Sequence, residues 1–379
     1  MGSPATCGTH RAMIYRRGGQ VAVGEVVAIT SLTWDRRRDD ISQAWLTVGL
    51  GCCGLMSQVH PVEHELHIYR DGDPVWQGVI TRLEFSADEV GIWAEDMLWV
   101  PKRRVIEKGW DYNALGNNAP HNVDIARRLL VDDCYARYGD QWRMAGNVAT
   151  YHSPATRSVG SKVNAYQFTV WQVLDDMARY FDLDYTVVNR TVHLWDVHHR
   201  WRTAPTLMPQ HISNEVRIVE YGNQTATRYI RTDGSGYAGV AVADAASLGR
   251  LGRYVDLLSN TTPADEEPPD KPPSANRLKK MQEEAEERLG LHNPTPVAVV
   301  VPEGSTLFPN APYDIATLTP GVWFMVYYDH PCRSGGGWHK LQELRVVENG
   351  TEGERVEIRT ISAPLDAIDT QDPGAGAGP

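Results

Sequence analysis

Polar and apolar residues alternate over residues 65–70 (Glu65, Leu66, His67, Ile68, Tyr69, Arg70), the period-two signature of a strand with one buried face. Asp71-Gly72 follows, a dipeptide that accepts the positive φ angles of a tight hairpin turn. Residues 75–85 return as a second strand, and alternation places Val79, Leu83 and Phe85 on one face. Gly78 lies inside that strand, where glycine marks a bulge or a close backbone approach. After the polar turn 86–89, residues 90–96 supply a third strand. The stretch reads as an antiparallel meander, and nothing in it carries a catalytic signature.

The same reading extends in both directions. Residues 1–19 are small and polar and are expected to form an N-terminal arm or an early edge strand. Residues 21–30 are rich in β-branched side chains, and 31–34 and 44–48 read as strands flanking the run Arg36-Arg37-Arg38-Asp39-Asp40. Because two aspartates follow the three arginines, that run predicts a solvated turn rather than a nucleic-acid patch. Residues 20–108 are expected to form a five- or six-stranded antiparallel barrel or sandwich. Residues 109–205 read as a helix-bearing α+β domain. Within it, 113–122 is a polar loop, and Asn122 is placed to cap a helix carrying Val123, Ala126, Leu129, Leu130 and Cys134 on one face. A loop-rich stretch then runs to Asn164. Thr169 is expected to cap the clearest helix of the chain, with the apolar stripe Val170, Val173, Leu174, Met177, Ala178 and Phe181. A hairpin follows, 185–188 and 191–195 about the turn Asn189-Arg190, and helix and hairpin are expected to bury each other's apolar faces.

Residues 206–364 read as a second β-rich domain, with strands at 215–221, 226–232, 297–301, 322–328, 341–347 and 355–361 and a turn at Asn349-Gly350. Residues 240–258 fit helix and strand equally. A proline-rich insertion at 261–273 precedes a helix at 274–290, capped by Ser274, with Leu278, Met281, Ala285 and Leu289 inward and Gly290 ending it. Residues 365–379 form a Gly/Ala/Pro-rich tail expected to be loose. The predicted fold class is mainly β with an α+β middle: two antiparallel β-barrel-like domains bracketing a helix–hairpin domain.

Composition narrows what such a chain does. At 379 residues it has room for two or three domains. A net charge of −11, from 37 basic and 48 acidic residues, argues against gripping a phosphate backbone. Trp (12) and Tyr (16) outnumber Phe (5), which favours half-buried sheet faces and interfaces. Cys7, Cys52, Cys53, Cys134 and Cys332 show no C-x-x-C spacing, so reduced thiols in a protein made in a cytoplasm are expected, not a zinc or redox site. No apolar run approaches about 18 residues and the N-terminus lacks an apolar core segment, so neither a membrane span nor a signal peptide is expected.

Three constellations resemble chemistry. Gly234-Ser235-Gly236-Tyr237-Ala238-Gly239 matches G-x-G-x-x-G, but the preceding strand is half polar and no βαβ unit surrounds it, so a glycine-rich β-turn is expected. His60, His64 and His67 with Glu63 and Glu65 resemble a metal cluster, yet His64 and His67 point to opposite faces of a strand and cannot share a zinc. The histidine-rich run 195–201 reads as a strand end and loop with surface polar contacts. Asp175-Asp176 cannot act as a facing acid–base pair, since adjacent helical residues diverge by about 100°. G-x-S-x-G, Walker A and paired Cys–His signatures are absent from the sequence. No catalytic, cofactor-binding or metal-binding residue and no cofactor is assigned, and a structural role is expected.

Several stretches, taken in order, resemble one family. They are the hairpin Asp71-Gly72-Asp73-Pro74-Val75-Trp76-Gln77-Gly78-Val79-Ile80 closing on Ala94-Glu95-Asp96, the run Thr169-Val170-Trp171-Gln172-Val173-Leu174 with its hairpin, and Leu318-Thr319-Pro320-Gly321-Val322-Trp323-Phe324-Met325-Val326. The chain is similar in this to phage tail-hub proteins, the baseplate-hub minor tail proteins of long-tailed phages, related to the N-terminal hub part of tail-associated lysins. The likeness covers most of residues 20–364, as patterns rather than invariant motifs. It implies a homotrimer at the tail tip of the virion, made in the host cytoplasm, whose two barrels per chain give a six-membered ring. Implied partners are the distal tail or tail tube protein, the tape measure protein and other tail-tip proteins, with DNA passing through the lumen without sequence-specific binding. Unlike the lysins, the chain ends soon after the second barrel, leaving no room for a peptidase or glycosidase domain. Two alternatives stay open: a carbohydrate-binding tail protein using Trp93, Trp99, Trp195 and Trp201, and a tail-associated hydrolase using the histidine runs.

Overall fold

The structure, a computed structural model, describes residues 8–111, 120–152, 162–197, 202–220, 222, 225–232, 237–251, 256–260, 275–293, 297–350 and 353–363. Strand β1 (His10–Arg16) pairs with β2 (Ala22–Val26) on one side and with β5 (His64–Arg70) on the other. Residues 10–16, expected as an arm or edge strand, are therefore interior to the sheet. β2 runs through Val27 and Ala28, the latter at φ 56°, directly into β3 (Ile29–Arg37), which pairs with β4 (Gln43–Gly49). A short helix α1 (Cys53–Met56) precedes β5, and β6 (Asp73–Phe85) and β7 (Glu89–Asp96) complete the meander, with β7 returning to β4. Neighbours therefore run β3-β4-β7-β6-β5-β1-β2. The hydrogen-bonded ladder does not close, but β2 at one end continues covalently into β3 at the other.

The hairpin turn takes the anticipated geometry, with Asp71 at φ 52° and Gly72 at φ 93°. Gly78 marks a close approach, since a Cβ there would lie 2.2 Å from the Glu95 carbonyl oxygen. The bulge sits elsewhere. The register slips between Ile80 and Arg82, leaving Thr81 unopposed. A one-residue slip exchanges the two faces downstream. Leu83 and Phe85 thus join Ile80, Ile92 and Val90 rather than Val79, and Phe85, at the strand's end, is 62% exposed. The common face assigned to Val79, Leu83 and Phe85 is corrected accordingly.

The middle segment begins with α2 (Trp99–Lys102) and β8 (Trp110–Asp111). Helix α3 (Asn122–Arg128) is capped by His121, whose ring accepts from the Val123 N–H. Asn122, expected as the cap, instead donates to the Phe181 carbonyl at 2.7 Å. The helix widens into π-helical turns over Leu129–Tyr135, and Val123, Ala126, Leu129, Leu130 and Cys134 are all buried. The stretch expected to be loop-rich contributes β9 (Val148–Tyr151) and β10 (Lys162–Val163), the latter paired with β8. Helix α4 (Val170–Tyr180) has the anticipated cap: the Thr169 hydroxyl accepts from the Gln172 N–H while the Gln172 side chain accepts from the Thr169 N–H. Its stripe packs on the hairpin of β11 (Leu183–Val188) and β12 (Thr191–Asp196), with β9 added in parallel to β12.

Residues 217–300 form a separate unit. β13 (Arg217–Glu220) pairs with β17 (Val297–Val300) where the chain enters and leaves it. β14 (Arg228–Thr232) lies between antiparallel β15 (Ala238–Val242) and parallel β16 (Asp256–Asn260), and α5 (Ala245–Leu251) joins β15 to β16. The ambiguous stretch 240–258 is therefore strand, helix and strand. Helix α6 (Ala275–His292) continues past Gly290 and buries Met281, Ala285 and Leu289. The insertion 261–273, the Ser274 cap and the tail 365–379 lie outside the described residues.

The C-terminal strands rejoin the first unit. They are β18 (Ser305–Thr306), β19 (Trp323–Tyr328), β20 (Gly335–Asn349) and β21 (Gly353–Ser362). β20 is long because it serves β19 along Gly335 to Lys340 and β3 along Glu343 to Asn349, besides its neighbour β21. The result is an eleven-stranded sheet, antiparallel throughout its named pairings. The fold is mainly β with an α+β middle, as expected. Among the described residues, no helix is long and apolar enough to cross a membrane.

Candidate functional site: a buried charged joint

The charges of residues 36–40 are only in part a solvated turn: the Asp40 side chain is 50% exposed, but Arg36 is buried and Arg37 to Asp39 are partly covered. Arg36, at the end of β3, is 1% exposed. Its guanidinium donates to the carbonyls of Val75 (2.5 Å), Leu318 (2.7 Å), Ile315 (3.2 Å) and Ala316 (3.3 Å). Burial pushes its pKa down to about 10, against a stabilising field from Asp314, so it stays cationic at neutral pH. Three segments distant in sequence are thereby held on one side chain.

The next residues bind the middle hairpin. The Asp39 N–H donates to the Tyr185 carbonyl, the Tyr185 N–H to the Asp39 carboxylate, and the Tyr185 hydroxyl to the Asp39 carbonyl. Thr186 donates through its hydroxyl to the Arg37 carbonyl. Asp184, fully buried, sits 2.5 Å from the Lys340 ammonium of β20, which is itself 0% exposed and lies over the Trp323 ring. Burial, then the adjacent Asp184 carboxylate, raise the Asp39 pKa well above the usual range. For Asp184 burial acts the same way, but Arg38 and Lys340 outweigh it and hold the group below its ordinary value. The two neighbouring groups are thus pushed in opposite directions, Asp39 up and Asp184 down, with the Arg38 guanidinium 2.9 Å from Asp39. The arrangement ties β3, the β11–β12 hairpin and β20 together.

Two more buried ion clusters do similar work. Glu65 receives Gly18 N–H at 2.7 Å, His67 Nε2 at 3.1 Å and the Arg190 guanidinium from the β11–β12 turn. Burial favours its protonation, yet the His67 and Arg190 contacts prevail and lower its pKa. His10 of β1 binds Glu348 of β20 at 2.6 Å and accepts from the Trp34 indole at 3.2 Å, while Arg70 forms two bonds, 2.7 and 2.9 Å, with Glu354 of β21. Side chains therefore bridge β1 and β5 to β20 and β21, strands that share no ladder.

The other residues singled out in the sequence disperse. His64 accepts from the His60 N–H at 3.0 Å, whereas His67 serves Glu65, so the histidine group is split between two local contacts. No group of three or more potential metal ligands occurs among the described residues. Asp175 pairs with Arg179 at 2.9 Å, away from any partner role with Asp176. Of the glycine motif, residues 234–236 fall outside the described residues, and Gly239 packs against helix α6, where a Cβ would lie 2.3 Å from the Met281 carbonyl oxygen. The three described tryptophans of the proposed glycan set do not make an exposed platform. Trp195 is 0% exposed, Trp93 is covered by the Arg82 guanidinium at 4.3 Å, Trp99 packs on Trp142, and Trp201 is outside the described residues. The residues that matter most here, Arg36, Asp39, Asp184 and Lys340, escaped sequence reasoning. Arg36 and Asp39 were read only as part of a solvated turn, and the run Trp338-His339-Lys340-Leu341-Gln342 carries no local signal of burial.

No family model matches the chain, and no curated protein matches it by sequence. Solved structures do match it from end to end. A tail protein from Neisseria meningitidis MC58 aligns with a TM-score of 0.57 at 13% identity, covering 96% of this chain and 98% of that one. The 43 kDa tail protein of prophage MuSo2 from Shewanella oneidensis gives 0.57 at 10% identity over 95% and 99%. Prophage tail protein gp18 from Listeria monocytogenes EGD-e gives 0.51 at 8% identity over 97% and 100%. The fold of this chain is the fold of these tail proteins.

Proposed function

We propose that this chain is a structural tail-hub, or baseplate-hub, protein of a phage tail tip. It assembles as a homotrimer whose two barrel-like domains per chain, within 20–108 and 206–364 and flanking the 109–205 segment, form a pseudo-sixfold ring. The ring joins the tail tube, or a distal tail protein, to the other tip proteins. Its lumen holds the tape measure protein and later passes DNA, and a net charge of −11 suits a conduit that must not retain a polyanion. The protein acts by shape and by the neighbours it holds, with no catalytic group and no cofactor.

The observation that supports this reading is the full-length fold likeness to three tail proteins, at TM-scores of 0.51 to 0.57 with more than nine-tenths of each chain covered. The buried charged joint agrees with it, because its groups pair with one another and tie strands together. The test is the mass of the purified protein by light scattering, with negative-stain imaging. A mass three times 42.3 kDa and a ring with six lobes is expected. A monomer, or a ring of another order, would overturn the proposal.

A further inference from the structure

Strand β15 is the outer strand of its three-stranded sheet. Its outward edge is occupied at one point by a side chain. The Val240 N–H donates to the Gln282 amide oxygen at 3.0 Å, and the Gln282 amide nitrogen donates to the Val240 carbonyl at 3.0 Å. A primary amide bound this way presents the same donor–acceptor pair as one residue of a neighbouring strand. Val240 opposes Ile230 in β14, and its N–H is spent on Gln282, so this is a non-hydrogen-bonded pair of the ladder. The backbone groups of Ala238 and Val242, two residues away on either side, therefore also face outward.

Beside this edge lies a cavity of about 520 Å³, lined by residues 240–244 and Ser247 and, from α6, by Gln282, Glu286, Leu289 and Gly290, with Asn293 at its end. Its volume is in the range of ligand pockets, roughly 300–1,000 Å³. Val240 and Val242 stand exposed at 39% and 47%. A groove between an edge strand and a helix is the geometry in which an extended peptide adds as a further strand, with main-chain bonds giving affinity and side-chain pockets giving selectivity. The charged residues in the lining are Asp244, which accepts from the Ser247 N–H at 2.7 Å and feels the Arg250 charge of α5, and Glu286.

We propose that the groove between β15 and α6 binds an extended segment of a partner protein, alternating apolar and basic side chains, by β-strand addition. The partner's backbone replaces the Gln282 amide at Val240 and continues to Val242. Its basic side chains meet Asp244 and Glu286, and its apolar ones lie on Leu289. The inference is independent of the tail-hub reading.

The test uses the full chain and a short fluorescent peptide of alternating valine and lysine, with an alternating valine–glutamate peptide for comparison, read by anisotropy. Gly290 lines the groove and has nothing within 4 Å of an added Cβ, so Gly290→Leu is the substitution chosen to obstruct it. The lysine peptide is expected to bind more tightly than the glutamate peptide by about tenfold or more, and Gly290→Leu to weaken it by about tenfold or more with an unchanged circular dichroism spectrum. Equal binding of the two peptides, no binding of either, or binding indifferent to Gly290→Leu would overturn the proposal. So would a Gly290→Leu variant that merely lost self-association, since that result would assign the groove to a second copy of this chain.

Discussion

Arg36 shows how a single buried charge can be stable without a carboxylate in contact. Four carbonyl oxygens, one from strand β6 and three from the loop 315–318, replace its water shell, and the guanidinium fork lets one side chain reach all of them. Arg36→Ala would leave those oxygens buried and undonated, which costs about 3 kcal/mol or more. A urea midpoint that moved by the equivalent of less than about 1 kcal/mol would show that water substitutes for the guanidinium. Buried carboxyls give a second prediction. Burial raises Asp35 to about 6 and Asp96 to about 7, outweighing the Arg37 charge beside the first and the Ser42 and Leu98 N–H donors on the second. A carboxyl whose folded pKa lies above its unfolded value binds more protons folded than unfolded. Its contribution is complete below the unfolded value and is lost as pH rises through the folded one. Glu65 and Asp184, both lowered, act oppositely and lose their contribution only as pH falls below the ordinary carboxylate range. Burial lowers His67, His121, His193 and His211, which act in the rising direction up to their ordinary value of 6.5, so stability to urea is expected to fall only between about pH 6.5 and pH 8, with Asp96→Asn flattening that drop. A profile that rises across that window would refute the assignment.

At the scale of elements, legibility followed the range of the interaction. Helix α4 was readable because its determinants are local: the Thr169–Gln172 capping box and a stripe repeating each turn. Thr169→Ala is expected to cost about 1 kcal/mol, measured as a shift in thermal midpoint, and Thr169→Ser to cost far less, since the hydroxyl is what accepts the Gln172 N–H. Equal losses for the two substitutions would mean that the methyl group, not the cap, is what stabilises. The hairpin at Asp71-Gly72 was readable for the same reason. The bulge at Thr81 was not, because it is a matter of register between β6 and β7 and no residue type announces it. The misreading of residues 36–40 is the sharpest case. Five consecutive charges satisfy every local rule for a solvated turn, and Asp40 does stay half exposed, whereas the burial of Arg36 and the pairing of Arg38 and Asp39 depend on Asp184, Lys340 and the carbonyls near residue 316, between about 145 and 300 residues further on. No window of sequence contains both halves of that joint.

For the whole molecule, the consequence is that the first unit is discontinuous. It consists of residues 1–216 and 301–361, and the C-terminal part supplies β20, which covers β3, and Lys340, which compensates Asp184. Truncation before residue 301 would uncover the edge of β3 and take the Lys340 ammonium from the buried Asp184, leaving it the more distant Arg38 at 3.7 Å, two defects that favour aggregation. Residues 217–300 are different. The unit enters and leaves through an antiparallel pair, Arg217 opposite Val300 and Glu220 opposite Val297, so its two ends are already neighbours. Joining residue 216 to residue 301 by a short glycine–serine turn should close a gap that the folded protein has already brought together, at little entropic cost. The excised variant is expected to stay soluble, to keep the urea transition of the first unit, and, as a hub, to keep its trimeric mass while losing the peptide bound between β15 and α6. Truncation after residue 216 should give none of these. If the excised variant is insoluble while the full chain is not, the inserted unit is part of what folds the rest, and the division of the chain into an assembled frame and a separable insert fails.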